Sequence, residues 1–184
     1  MKFIIGSDIH GSIYYAEKFM KIADQIQADQ ILLLGDLYYN GARNDPPKDY
    51  APKKVVSLLN EHAEKIIAVK GNCESEVDQM VSSFPINEQA TIFAFGKKIF
   101  LTHGHHFSFT SLPNNPGDVF LQGHTHISVL EKKENLILAN PGSISIPKDE
   151  HHSYMVMDEK GITLYDLLTE EDIKHISWEL NYTP

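Results

Sequence analysis

The chain of 184 residues holds a single cysteine, Cys73, so an intrachain disulfide and a thiolate zinc cage are both excluded. Basic residues are also scarce. Lys and Arg total 16 against 25 Asp and Glu, the formal net charge is −9, and no Lys/Arg run exceeds two residues. A general nucleic-acid surface needs clustered basic side chains, so that class is not expected. A small phosphate ester stays compatible, because a bound cation supplies positive charge locally. No segment approaches the roughly 18 apolar residues of a membrane span, and the apolar stretch after Met1 is far too short for a signal peptide. The expectation is a cytoplasmic protein without a membrane partner. Linkers, low-complexity segments and repeats are missing too. With 42% hydrophobic and 22% charged residues, the chain is expected to form one globular domain, residues 1–184.

What is present begins with short apolar runs separated by helical patterns. Phe3-Ile4-Ile5, Ile31 to Leu34 and Ile66 to Val69 read as strands buried on both faces. Between them, Ala16, Phe19, Met20, Ala23 and Ile26 recur at helical spacing, and Val55, Val56, Leu58 and Leu59 open a second helix reaching about Ala63. Val77, Met80, Val81 and Phe84 mark a third helix face, stopped by Pro85. This alternation predicts a parallel βαβ sheet, in which ligands bind beyond the carboxyl ends of the strands. The second half is strand-rich. Hairpins are expected around Gly96-Lys97, Glu131 to Asn135 and Asp158 to Gly161, and Ile176, Trp178 and Leu180 alternate as a half-buried strand would.

Polar clusters follow the apolar runs: Asp8-Ile9-His10-Gly11, Gly35-Asp36, Gly71-Asn72, His103-Gly104-His105 and Gly123-His124-Thr125-His126. Asp8 and His10, one residue apart at a strand end, can reach one ion from a tight turn. Asp36 offers two oxygens and can bridge two cations; alone it would read as a helix cap. Asn72 adds a neutral oxygen ligand, although Asn after Gly is by itself a turn signal. His124 and His126 share one side of an extended segment. His105 could brace a ligand or contact a substrate phosphate oxygen, His106 reads as a loop residue, and His62, His151, His152 and His175 read as structural or solvated. The candidate ligands are therefore Asp8, His10, Asp36, Asn72, His103, His124 and His126. With Asp36 shared, they provide four ligands to each of two ions about 3.5–4 Å apart, which suits hydrolytic chemistry.

Set in order, these motifs resemble those of the calcineurin-like metallophosphoesterases. Asn140-Pro141-Gly142-Ser143 extends the similarity to the small bacterial and archaeal YfcE-type phosphodiesterases, over residues 3 to about 165. The resemblance implies an α/β fold, a four-layer α/β/β/α sandwich with the dimetal site at the strand ends. It assigns Asp8, His10, Asp36 and His126 to one ion, and Asp36, Asn72, His103 and His124 to the other. Manganese is the implied ion, with zinc, iron, nickel and cobalt as alternatives, and a metal-bridging hydroxide is the implied nucleophile. Asp36, Asn72 and His105 are the residues expected in catalytic roles.

The resemblance has one departure from the wider superfamily. Many members place a histidine directly after the asparagine ligand, as general acid for the leaving group. Here Cys73 stands there, as in the YfcE-type branch. A thiol of pKa near 8.5 is a poorer acid, so a steep dependence on leaving-group pKa and a preference for aryl diesters are expected. The long irregular stretch from Tyr38 to Lys54 reads as a binding loop, with Tyr38 and Arg43 reaching a substrate or a neighbouring subunit. The expected function is a metal-dependent phosphoric diester hydrolase acting on a small phosphate ester. The alternatives are a phosphomonoesterase or phosphoprotein phosphatase, and a non-catalytic scaffold like the retromer subunit Vps29. A homo-oligomer is compatible with the sequence.

Overall fold

The computed structural model describes residues 1–178. Strands β1 (Phe3–Gly6), β2 (Gln30–Leu33) and β3 (Ile66–Val69) pair in parallel, with Ile4 beside Ile31 and Ile31 beside Ile66. Their side chains alternate between two cores, as the twofold period of a strand requires. Ile4, Ile31, Leu33 and Ala68 face the helices, while Phe3, Ile5, Leu32 and Val69 face a second sheet. Helix α1 (Ile13–Gln25) starts at Ser12, whose hydroxyl accepts the Tyr15 N–H at 3.4 Å, and buries Ala16, Phe19, Met20 and Ala23. Helix α2 (Pro52–Asn60) opens on a proline, whose missing N–H costs nothing at that position. It ends earlier than the sequence pattern suggests, and a 3₁₀ turn at Ala63–Lys65 carries the chain into β3.

Helix α3 (Glu76–Val81) forms, but its apolar face is not buried: Val77, Met80 and Val81 are exposed, and only Phe84, beyond the helix, enters the core. The helix is held by polar ties instead of packing. Ser75 and Asp78 form a reciprocal cap, Tyr38 Oη meets Ser82 Oγ at 2.7 Å, and Gln79 bridges Phe84 O and the Ile86 N–H. The short strand β4 (Ile86–Asn87) then completes the parallel edge.

Strands β5 (Ala90–Ala94) and β6 (Lys97–Leu101) form a hairpin. Its turn is Phe95-Gly96, one residue earlier than expected, with both φ values positive (55° and 69°) as a tight two-residue turn demands. Strands β7 (Val119–Leu121), β8 (Ser128–Lys133) and β9 (Leu136–Pro141) complete a five-stranded sheet in the order β5-β6-β7-β9-β8. The chain then returns to the first sheet. Strand β10 (Ser153–Asp158) pairs antiparallel with β1, and β11 (Gly161–Asp166) and β12 (Asp172–Ser177) extend that sheet to seven strands. Ile176 lies in β12, Trp178 follows it, and Leu180 lies outside the described residues.

Helices α1 and α2 cover one face of the seven-stranded sheet, and the other face packs on the five-stranded sheet through Ile99, Leu101, Val119 and Leu121. On the far face, Phe100, Phe120 and Leu138 lie under Phe107 and Phe109. The two packed sheets with helices on one side are as expected; among the described residues the outer face of the second sheet is covered by an aromatic loop where the sandwich was expected to carry its second helical layer. No described helix is long and apolar enough to cross a membrane.

Candidate metal centre

The polar clusters follow parallel strands: Asp8 and His10 after β1, Asp36 after β2, Asn72 after β3, His103 after β6, and His124 and His126 after β7. Their backbone is unusual. Asp8, His10, Asp36, His124 and His126 all have positive φ, between 48° and 70°. Such a conformation costs roughly 1–2 kcal/mol per non-glycine residue, so the surroundings must impose it. Backbone bonds do so: Asp8 N–H to Gly35 O at 3.0 Å, His10 N–H to Asp36 O at 2.9 Å and Gly123 N–H to His103 O at 2.8 Å. Two glycines allow the close approach. A Cβ on Gly71 would collide with Asp36 Oδ1, and one on Gly123 with Ser7 Oγ.

The structure brings all seven predicted ligands together. His126 Nε2 lies 3.2 Å from Asp8 Oδ1 and 3.2 Å from His10 Nε2. Asp36 Oδ2 lies 3.7 Å from His10 Nε2 and 3.5 Å from His103 Nε2, between the two groups. On the far side, His103 Nε2 is 3.1 Å from Asn72 Oδ1 and 3.2 Å from His124 Nδ1. Asp8, His10, Asp36, His103 and His126 are buried, whereas Asn72 is exposed and His124 partly so. The centre therefore opens toward Asn72 and His124.

Backbone carbonyls orient three of the rings. The Nδ1 atoms of His10, His103 and His126 lie 2.8, 2.7 and 2.8 Å from the carbonyls of Tyr39, Leu34 and Ile146. An Nδ1–H that donates there leaves Nε2 as a lone pair aimed inward. Asp8 Oδ2 accepts from Ser7 Oγ at 2.6 Å and from the His124 N–H at 3.0 Å, but the buried Asp8 Oδ1 has no hydrogen-bond partner. Buried polar atoms are rarely left so. An orphaned carboxylate oxygen among inward-facing imidazoles fits a divalent cation, and the oxygen and nitrogen donors suit manganese, iron or zinc. Asp8, His10 and His126 form one group able to hold an ion, and Asp8, Asp36 and His103 another.

Electrostatics agree that this pocket wants positive charge. Burial alone would raise the Asp8 carboxyl, but His10 and His126 outweigh it and hold Asp8 well below the usual carboxylate range. Burial would lower His10, yet Asp8 prevails and raises it. Without a metal ion, His10 thus holds a proton more readily than a free imidazole. Burial, followed by the repulsion of His103, lowers His124. Burial, then Asp36, pushes the Cys73 thiol far up, so it is a still weaker acid than its sequence position suggests. His105 sits edge-on to His103, with ring centroids 5.3 Å apart, and lies tilted by 43° against His106 at 4.0 Å. Burial and the neighbouring His103 push it down to about 4, so it is neutral near pH 7.

Sequence reasoning missed Glu74 and Ser145, and gave Asn140 and Ser143 no role although their motif was part of the resemblance. Buried Glu74 accepts the Asp36 N–H at 2.8 Å, the Leu37 N–H at 2.6 Å and the Gly71 N–H, tying the β2 and β3 ends together. Burial and Asp36 push its pKa up to about 7, against those three donors. Asn140 Nδ2 donates to Gly123 O at 2.8 Å, and Ser143 and Ser145 hydroxyls donate to Asp8 O at 2.8 and 3.1 Å. For Glu74 and Ser145 the only sequence signal is proximity to the motifs, whereas Asn140 and Ser143 belong to a motif of their own. Tyr38 needs correction: its side chain is buried and bonded to Ser82, so it does not reach outward. Its neighbour Tyr39 lines the cleft, together with Arg43. The other histidines are tied elsewhere, His151 to Asp166 at 2.8 Å and His152 to Ile144 O at 2.8 Å.

Comparison with known proteins agrees with this architecture. Residues 1–161 match the calcineurin-like phosphoesterase superfamily domain, and the chain belongs to that family. It is 41% identical to phosphodiesterase YfcE of Escherichia coli K12 over 180 residues, covering 96% of this chain and 98% of the relative. A solved structure of that E. coli phosphoesterase superposes with a TM-score of 0.94, covering 97% of this chain and all of the other. A phosphodiesterase of Methanocaldococcus jannaschii is 28% identical over 151 residues, 77% of this chain and 83% of the relative. Vps29 of Entamoeba histolytica shares the fold at 19% identity, with a TM-score of 0.66 and coverage of 97% of this chain and 100% of that one.

Proposed function

We propose that the protein hydrolyses phosphodiesters with the aid of two divalent ions, manganese foremost. Asp8, His10, Asp36 and His126 would hold one ion, and Asp36, Asn72, His103 and His124 the other. The observation carrying this reading is Asp36 Oδ2, which stands 3.7 Å from His10 Nε2 and 3.5 Å from His103 Nε2, as a shared ligand should. Bound divalent ions supply Lewis-acid charge and make water a nucleophile at neutral pH. The chain's own contribution is to fix that chemistry in place. Carbonyl-tethered His10, His103 and His126 keep their Nε2 lone pairs inward, and the Cys73 N–H donates to Asp36 Oδ1 at 2.9 Å. Asn72, exposed at the mouth, would meet substrate and ion together. His105 stays neutral and is assigned a supporting role toward phosphate oxygens.

A small ester from the cytoplasm fits the chain better than nucleic acid, since the net charge is −9. The names of the two phosphodiesterase relatives support the diester over the monoester reading. The test is hydrolysis of bis(p-nitrophenyl) phosphate and of p-nitrophenyl phosphate, each with added manganese and with chelator. Diester turnover that exceeds monoester turnover and vanishes with chelator is expected. A protein inactive at full metal occupancy would instead be a scaffold.

A further inference from the structure

A cleft of about 720 Å³ opens beside Asp36, Asn72, Cys73 and His124, and two cations, Arg43 and Lys148, line it. They come from different loops, one after β2 and one after β9. Of the residues lining that cleft, Asp36 alone carries a carboxylate, and it belongs to the metal centre. Among the described residues neither Arg43 nor Lys148 is paired with a carboxylate, so both charges are open to a ligand in the cleft.

Both loops are held in place. Asn40 and Asn44 exchange side-chain to carbonyl bonds of 2.7 and 2.8 Å around Arg43, and Gly41 backs onto Cys73. The Lys148 N–H donates to His126 O at 2.8 Å. Neighbouring Asp149 is committed to Ser128, through its N–H at 2.6 Å and its hydroxyl at 2.8 Å. The reacting phosphoryl group of a diester carries one negative charge, which the metal centre meets. Two further cations, carried on loops that are held at this cleft, call for a further anion.

We propose that Arg43 and Lys148 bind a second phosphate on the non-reacting part of the substrate, so that the preferred substrates are phosphodiesters bearing an additional terminal phosphate. The inference rests on the diester-hydrolase reading and names its substrate class. Contacts remote from the reacting atoms raise kcat/KM by binding.

The test compares thymidine 5′-(p-nitrophenyl phosphate) with the same ester carrying a 3′-phosphate, using manganese-loaded protein. The 3′-phosphate is expected to raise kcat/KM about tenfold, the effect of one charge-assisted hydrogen bond. Arg43→Ala and Lys148→Ala should each move that ratio toward one. Both side chains are exposed, so folding is not at stake. A ratio near one in the unaltered protein overturns the proposal. So does an equal loss on both esters, which would place the cations on the reacting phosphate. Calorimetric binding of thymidine 3′,5′-bisphosphate against thymidine 5′-monophosphate reads the same preference without turnover. If neither ester is hydrolysed but the bisphosphate still binds more tightly, the hydrolase reading fails and the cation pair stands.

Discussion

His10 and His126 point their Nε2 atoms at each other across 3.2 Å, each ring tethered at Nδ1 by a carbonyl 2.8 Å away. Two neutral rings so tethered present lone pair to lone pair, beside the ionised Asp8. A positive charge must join them, either a proton or a metal ion.

Metal affinity should therefore depend on pH. His10 is raised above its ordinary value once burial is outweighed by Asp8. In the metal-free protein, the stability from the His10–Asp8 pair is present at low pH and lost as pH rises through the raised His10 pKa. Metal binding needs neutral His10, so affinity should climb over that range, about tenfold per pH unit below the pKa, with proton release. Manganese titration calorimetry in buffers of differing ionisation enthalpy measures both. Affinity unchanged across the range would contradict a proton–metal exchange at His10.

Asp36→Asn keeps the size of the side chain but removes the charge shared by both halves of the centre. Diesterase activity should fall by more than about a hundredfold, beyond the 10–100-fold typical when only a ligand's partner is lost. Metal analysis should find fewer than two ions retained per chain. Two tightly held ions in this variant would remove Asp36 from the bridging position.

Glu74→Gln should destabilise the protein without touching substrate. The carboxylate accepts from Asp36, Leu37 and Gly71, and an amide turns one acceptor oxygen into a donor facing those N–H groups. A loss of about 1.5–3 kcal/mol is expected by urea denaturation, the range for a hydrogen bond to a charged group. Manganese affinity should weaken too, because the same carboxylate sets the angle between the β2 and β3 ends. A stable variant with normal metal binding would mean that the backbone alone fixes this corner.

Cys73 should be a bystander in proton transfer. Burial and Asp36 raise its thiol well above the ordinary range, and His105, pushed down to about 4, is neutral. Rates across aryl diesters should then fall steeply as leaving-group pKa rises, with Cys73→Ser leaving the slope unchanged. A shallow slope that becomes steep in His105→Asn would identify His105 as the acid after all.

Helix α1 and strands β1 to β3 were legible because two-sided burial writes itself as continuous apolar runs and a buried helix face as a 3.6-residue period. Helix α3 shows the limit of that logic. Val77, Met80 and Val81 repeat like a core face yet remain exposed, because polar bonds from Tyr38, Ser75 and Gln79 hold the segment without packing. Loop chemistry was the least legible. Tyr38 and Tyr39 are adjacent and alike, and only the path of the chain buries one and leaves the other in the cleft.

By itself, the sequence determined the identities and order of the seven metal-competent side chains, because ligand chemistry resides in residue type and each motif follows its own strand-forming run. Only the tertiary structure decided that Glu74, Asn140 and Ser143 would brace them and that Arg43 and Lys148 would share one cleft. Those relationships join residues far apart in the chain, and their distances come from how two sheets pack rather than from any local pattern.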